Sequence, residues 1–377
     1  MLAQRPPMGW NSWNTFGSDI NETLIKEVAD AMVSTGLKDA GYEYVVIDDC
    51  WAKRKRNADG LMEADPAKFP SGMKALADYI HSKGLKFGMY SCAGTQTCAG
   101  YPGSFDHEFE DAKMFADWDV DFLKYDFCYK PRLAAGPILY NRMGMALKAS
   151  GREILFSACN WGSDDVGKWI RSTGAHMYRS TGDISDSFGS FKNIAMSQIN
   201  LLSHSGPGCY NDIDMLICGM YSKGNVGYSG GCNDIEYRTH FALWSLFASP
   251  LMIGCDVRSM NDETLAILKN AALIAINQDE EARPPFLFSG NPDSNRVIMF
   301  RHMSNNEYIT AFFNFDDNDG YVYGEFYDIG LTVASGYALE FTDIFTGETV
   351  GTFTENYGTH IKSHDCKIYR TKLVKVR

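Results

Sequence analysis

The sequence predicts an α/β protein: a (β/α)8 TIM barrel followed by a C-terminal antiparallel β-sandwich. Three observations carry that reading. Short β-rich apolar runs alternate with segments of helical period over most of the chain. The alternation stops near Glu281, where two acids are followed by Pro284 and Pro285. Beyond it, short strand-like runs are separated by Gly, Asn and Asp. A chain of 377 residues is long enough for about two domains, and the expected division is 1–282 and 283–377.

In chain order, strands are expected at Gly9–Trp13, Tyr42–Ile47, Lys86–Tyr90, Asp121–Tyr125, Glu153–Ser157, His176–Arg179, near Cys209–Leu216 and at Pro250–Gly254. Such short apolar runs fit parallel strands covered on both faces. Helices are expected over Glu22–Lys38, Met73–Lys83, Glu108–Trp118, Leu139–Lys148, Phe191–Leu202, Asp234–Phe247 and Glu263–Asn277. Asp262-Glu263 suits the start of the last. About eight βα units suit a closed barrel, with a doubly wound sheet as the competing arrangement. In the tail, Arg296–Arg301, Tyr308–Asn314, Gly320–Tyr327, Tyr337–Asp343, Glu348–Phe353 and Ile361–Lys372 read as strands, with a turn at Asp316–Gly320.

Composition narrows the function. Hydrophobic residues at 45% and charged residues at 22% support a sizeable core and exclude disorder. A net charge of -12 would repel a phosphate backbone, so no nucleic-acid partner is expected. The longest apolar-rich stretch, Phe241–Cys255, is too short to span a bilayer, so no membrane partner is expected. The start, MLAQRPPMGWNSW, has no signal-peptide pattern; a cytoplasmic location is expected, or secretion if a leader preceded it. The 10 Cys form no CxxC pair, which favours a reducing compartment and no zinc. His360 and His364 read as surface residues of the tail, and no HExxH or P-loop occurs. Neither a metal nor a cofactor is expected. The Gly-rich stretch Gly219–Gly231 reads as a long loop at the site rim or at a contact in a homo-oligomer.

Barrel chemistry sits at the C-terminal ends of the strands. The residues there are Trp13, Asp48 with Asp49, Tyr90, Lys124 with Asp126, Asn160, Arg179 with Asp183, and Asp212 with Asp214. Alternation along a strand puts Lys124 and Asp126 on one face and Leu123, Tyr125 and Phe127 on the other. The bland alternative is an ion pair capping the core. Asp48-Asp49 could be a solvated turn or a helix cap, with Trp51 narrowing the solvent around it. Together, several acids, a Lys, an Arg and aromatic rings suit a sugar pocket, with hydrogen-bond partners for hydroxyls and apolar faces for ring C–H. Two of the carboxylates could then act as nucleophile and acid/base.

Seven ordered motifs, PPMGWNSWN (7–14), IDDCW (47–51), TCAGYPGSF (97–105), LKYDFCY (123–129), CNWG (159–162), YRSTGDISDS (178–187) and GPGCYNDIDML (206–216), resemble those of glycoside hydrolase family 27, the melibiase or α-galactosidase family. The resemblance implies a metal-free retaining exo-α-galactosidase acting on a small α-galactoside or an oligosaccharide. It implies Asp126 as nucleophile and Asp183 as acid/base. Asp48 and Asp49 would read the galactose 6- and 4-hydroxyls, Lys124 the 3- and 4-hydroxyls, and Arg179 the 2- and 3-hydroxyls. Trp13 and Tyr90 would form walls, Asp214 the base of the site, and Cys98 and Cys159 further substrate contacts. Cys98 and Cys128 match the family's disulfide. Trp161 would block a 2-acetamido group, leaving α-N-acetylgalactosaminidase as the alternative activity. A galactoside-binding barrel without turnover is the non-enzymatic alternative. In this scheme Lys124 keeps Asp126 ionised while Asp183 holds a proton.

Overall fold

A computed structural model describes residues 2–227 and 230–376. Its first part runs β1 (Met8–Asn11), α1 (Trp13–Phe16), α2 (Glu22–Ser34), β2 (Tyr44–Val46), α3 (Gly72–Ser82), β3 (Lys86–Cys92), α4 (Glu108–Asp117), β4 (Phe122–Asp126) and α5 (Gly136–Ala149). It continues with β5 (Leu155–Cys159), β6 (Met177–Arg179), α6 (Phe188–Gln198), β7 (Tyr210–Asp212), α7 (Asp234–Leu246), β8 (Leu251–Ile253), α8 (Asp262–Leu268) and α9 (Ala271–Asn277). The strands pair in parallel in the order β7-β6-β5-β4-β3-β2-β1-β8. A parallel bridge between Leu216, just past β7, and Ile253 closes the ring. This sequential order excludes the doubly wound sheet, whose strand order reverses at a switch point.

An apolar plug fills the barrel beneath the site. Val46, Phe122, Leu155, Met177 and Met252, drawn from β2, β4, β5, β6 and β8, pack together on the axis. Gly88 of β3 leaves room for it, since a Cβ there would lie 2.6 Å from Val46 Cγ2. Leu123, Tyr125 and Phe127 point outward into the layer between strands and helices, as alternation requires.

Two barrel elements differ from expectation. The first strand stops at Asn11, because the Asn11 side chain accepts from Trp13 N at 2.9 Å and turns the chain; Trp13 therefore opens α1. The expected helix Glu263–Asn277 is two helices, broken where Asn270 caps α9 by accepting from Leu273 N.

The tail contains β9 (Phe286–Ser289), β10 (Arg296–His302), β11 (Tyr308–Asn314), β12 (Gly320–Glu325), β13 (Tyr337–Asp343), β14 (Thr349–Phe353), β15 (Asn356–Ile361) and β16 (Cys366–Lys375). They form a six-stranded antiparallel sheet, β14-β13-β16-β11-β10-β9, and a two-stranded one, β12-β15. Ile298, Phe300, Phe312 and Tyr369 of the large sheet meet Val322 and Ile361 of the small one. The alternate residues Val297, Met299, Ala311, Phe313 and Ile368 belong to the barrel's core, so β10, β11 and β16 of the large sheet are covered on both faces. Two expectations fail here. The run Ile361–Lys372 is split, because the chain turns through His364 (φ 57°) between β15 and β16. Edge strand β9, four residues directly after two prolines, was not foreseen. His360 is exposed. His364 instead stacks on Phe188 with centroids 3.6 Å apart and bridges Glu236 and Asp317, joining tail to barrel.

Candidate active site

At the C-terminal mouth of the barrel a cavity of about 770 Å³ is lined by Trp13, Asp48, Asp49, Tyr90, Cys98, Lys124, Asp126, Cys159, Trp161, Arg179, Asp183 and Asp214. All twelve of the candidate catalytic and sugar-binding residues therefore face one space. Asn160 and Asp212, also at strand ends, do not line it. Asn160 turns back and donates to Ser163 O at 2.8 Å. Asp212 lies beneath, accepting from Asp214 N.

The wall from β1 to β4 holds three buried carboxylates. Asp48 and Asp49 are each 2% exposed, so they are not a solvated turn. Asp48 Oδ2 accepts from Lys124 Nζ at 2.8 Å and from Asn11 Nδ2 at 2.7 Å. Asp49 accepts from Cys50 N and Ala99 N, and its burial raises its pKa. Asp126 accepts from Phe127 N and Tyr90 Oη, both at 2.9 Å. Burial drives its carboxyl up to about 6, against the pull of Lys124. Trp51 does not narrow this space. Cys50, at φ 72°, turns the chain so that the Trp51 ring packs on Phe115 and Trp118 and donates to Tyr90 O.

The wall from β5 to β7 is organised by Arg179, which is 5% exposed. Its Nη2 lies 2.9 Å from both Asp183 Oδ1 and Asp214 Oδ2. Asp214 also accepts from Ile184 N and Met215 N. Asp183 stands at the mouth, with 75% of its side chain exposed. Desolvation pushes its pKa upward, but Arg179 and Lys124 outweigh it and hold the carboxyl below its usual value. This ordering is opposite to the expected one. Lys124 pairs with Asp48 rather than Asp126, and depth of burial, which the motif does not encode, dominates at Asp126.

Trp161 (φ 55°) reaches the cavity from the loop after β5, its ring edge-on to Phe127 at 6.3 Å. Gly162 must be glycine: at φ 85°, an added Cβ would lie 2.4 Å from Ser180 O. A disulfide joins Cys98 to Cys128, tying the loop after β3 to the end of β4. Cys98, Asp126 and Cys128 form a cluster of metal-type donors, but both sulfurs are in the disulfide and so are withdrawn as thiolate ligands. Asn11, Arg54 and Asn225 contribute to the site without having been singled out. Of these, only Asn11 gave a signal, as a polar residue sharing the face of Trp13 in the expected strand Gly9–Trp13. The Gly-rich loop reaches the rim through Asn225 and Val226; its Tyr228 and Ser229 lie outside the described residues.

Comparison with known proteins decides the family. The family model described as Alpha galactosidase A (Melibiase_2) matches residues 5–279. The chain is 44% identical over 369 residues to an alpha-galactosidase of Cyamopsis tetragonoloba, covering 98% of this chain and 86% of that one. The chain belongs to the melibiase (α-galactosidase) family of glycoside hydrolases. Two solved relatives have the same fold. Alpha-galactosidase I of Mortierella vinacea is 32% identical, with a TM-score of 0.89 over 100% of this chain and 99% of that one. An α-galactosidase of Saccharomyces cerevisiae, solved with raffinose, is 28% identical, with a TM-score of 0.90 over 99% and 98%. As a family member the chain is a glycoside hydrolase with α-galactosidase activity.

Proposed function

We propose that the chain is a retaining exo-α-galactosidase, with Asp126 as nucleophile and Asp183 as acid/base. The observation that carries this reading is the pair of unlike carboxylates in one cavity: Asp126 at the floor, 6% exposed, and Asp183 at the mouth. A galactosyl unit seated among Asp48, Asp49, Lys124 and Arg179 would present its anomeric carbon to Asp126. The leaving oxygen would point outward, toward Asp183. Asp126 forms the bond to carbon as the glycosidic bond breaks, and the Asp183 proton passes to the departing oxygen. Asp183 then takes a proton from water, whose oxygen displaces Asp126 and releases α-galactose.

The two carboxyls share one proton in the reactive form. With Asp126 raised and Asp183 lowered, the proton rests on Asp126, so the reactive tautomer, with Asp126 ionised and Asp183 protonated, is the minor one. An aglycone covering Asp183 removes its solvent and raises its pKa toward that form. Retention calls for the two carboxyls ~5–5.5 Å apart once substrate is bound. The leaving group we favour is a sugar, giving an oligosaccharide substrate, a reading supported by the yeast relative solved with raffinose. The test is proton NMR of an α-galactoside digest at early times. The α-anomer of galactose must appear first; initial release of the β-anomer would overturn the double displacement.

A further inference from the structure

Three residues beyond Asp183, in the same loop after β6, Asp186 is 0% exposed. Its hydrogen-bond partners are neutral. Ser222 N donates to Oδ2 at 2.7 Å, Cys232 N to Oδ1 at 3.2 Å, and Tyr237 Oη of α7 lies 3.0 and 3.1 Å from the two oxygens. In return, Asp186 N donates to Val226 O at 2.8 Å. A carboxylate buried without a cation is unfavourable unless such donors saturate it, so its place in the fold is narrowly specified.

These partners belong to the Gly-rich loop that follows β7 and to the helix that follows it. That loop supplies Asn225 and Val226 to the cavity, and Asn225 Nδ2 reaches Trp13 O at 2.9 Å. With glycines at 219, 224, 227, 230 and 231, it has little conformational preference of its own and needs an external anchor. Gly231, at φ 79°, lets the loop close on Asp186: a Cβ there would lie 2.7 Å from Ser222 N and 3.2 Å from Asp186 Oδ2. One carboxylate therefore fastens the rim to the loop that carries Asp183.

We propose that Asp186 is a positioning residue for the acid step, holding the Asp183 loop and the opposing rim in the geometry that delivers the proton to the leaving oxygen. The inference rests on the reading of Asp183 as acid/base. Its signature is chemical. A p-nitrophenolate departs with little help from an acid, whereas a sugar alkoxide needs the proton, so a displaced Asp183 penalises sugar leaving groups selectively. A loss of structure alone would lower both activities together.

The experiment compares kcat/KM for an α-galactosyl disaccharide and for p-nitrophenyl α-D-galactopyranoside in the wild type, Asp186→Asn, Tyr237→Phe and Asp183→Ala. In Asp186→Asn an amide N–H2 replaces one acceptor and faces a donor. The disaccharide-to-aryl ratio should fall about tenfold, in the same direction as in Asp183→Ala but by less. Tyr237→Phe, which removes one donor, should shift the ratio the same way by a smaller factor, and it decides the matter alone if Asp186→Asn does not fold. Equal losses on both substrates, or an unchanged ratio, would overturn the role of Asp186. A ratio that falls in Asp183→Ala but not in the other two variants removes this inference alone. A ratio that does not fall in Asp183→Ala removes the acid/base reading, and the inference with it.

Discussion

The two walls of the pocket hold their acids in opposite ways. On the β1–β4 side, Asp48, Asp49 and Asp126 lie deep, and backbone N–H groups, Asn11, Tyr90 and a single Lys hold them. On the β5–β7 side, Asp183 and Asp214 both lean on one guanidinium. Desolvation wins at Asp126 and raises it to about 6, as it also raises Asp214; Arg179 wins at Asp183 and lowers it. Carboxylates that look alike in a motif are separated by depth and by which cation is in contact.

The largest expected effect sharpens that contrast. Asp126→Ala removes the group that would bond to carbon, and hydrolysis of p-nitrophenyl α-D-galactopyranoside should fall at least about 10⁴-fold, as for other covalent nucleophiles. A variant keeping a tenth of wild-type turnover would remove Asp126 from that role.

Much of the floor was legible because strand alternation is a strong local rule. The positions 122, 124 and 126 face the axis as read, with Phe122 in the plug and the two polar residues above it. What escaped depends on turns and on depth. Cys50 in the left-handed region sends Trp51 away from the pocket, and nothing in IDDCW announces that φ. Lys124 reads as the partner of Asp126 on its own strand, but in the fold its ammonium meets Asp48 at the end of β2, two strands away. Asp186 was visible as an acid, but its anchoring role depends on contacts more than thirty residues ahead.

Lys124→Met should break the first wall next. Asp48, with a side chain 3% exposed, would keep Asn11 but lose its only cation contact among the described residues. A buried charge left in this way destabilises by about 3–5 kcal/mol, read as a drop in the urea midpoint at pH 7. A loss of stability below about 1 kcal/mol would remove Lys124 as the partner that holds Asp48.

Asp126→Asn should act in the other direction. An acid whose folded pKa is raised favours folding while protonated, and loses that contribution as pH rises through the folded value, here about 6. At pH 7 the wild type therefore carries the penalty of an ionised, buried Asp126, and the amide removes it. The gain is about 3 kcal/mol, the cost at pH 7 of ionising a carboxyl held at about 6 rather than in the ordinary carboxylate range. It should vanish below about pH 4, the free-acid range, where the wild type is protonated in both states. Thermal melts of the pair at pH 4 and pH 7 check it; equal midpoint differences at the two pH values would contradict the raised pKa.

The smallest effect concerns Trp161, which tests the rim rather than the acids. Its ring is set by φ 55° and by the edge contact with Phe127, and Gly162 behind it cannot be replaced without striking Ser180 O. If that ring occupies the space beside the sugar's 2-position, wild-type turnover of the 2-acetamido galactoside should be low for steric reasons alone. Trp161→Ala would then raise the ratio of 2-acetamido to plain galactoside turnover by about 10–200-fold, the range for shape discrimination in an apolar pocket. The carboxylates are untouched by this change, so the plain galactoside should keep its pH profile. A ratio that does not move would place the block elsewhere on the rim, with Cys159 and Arg179 the side chains that share that wall.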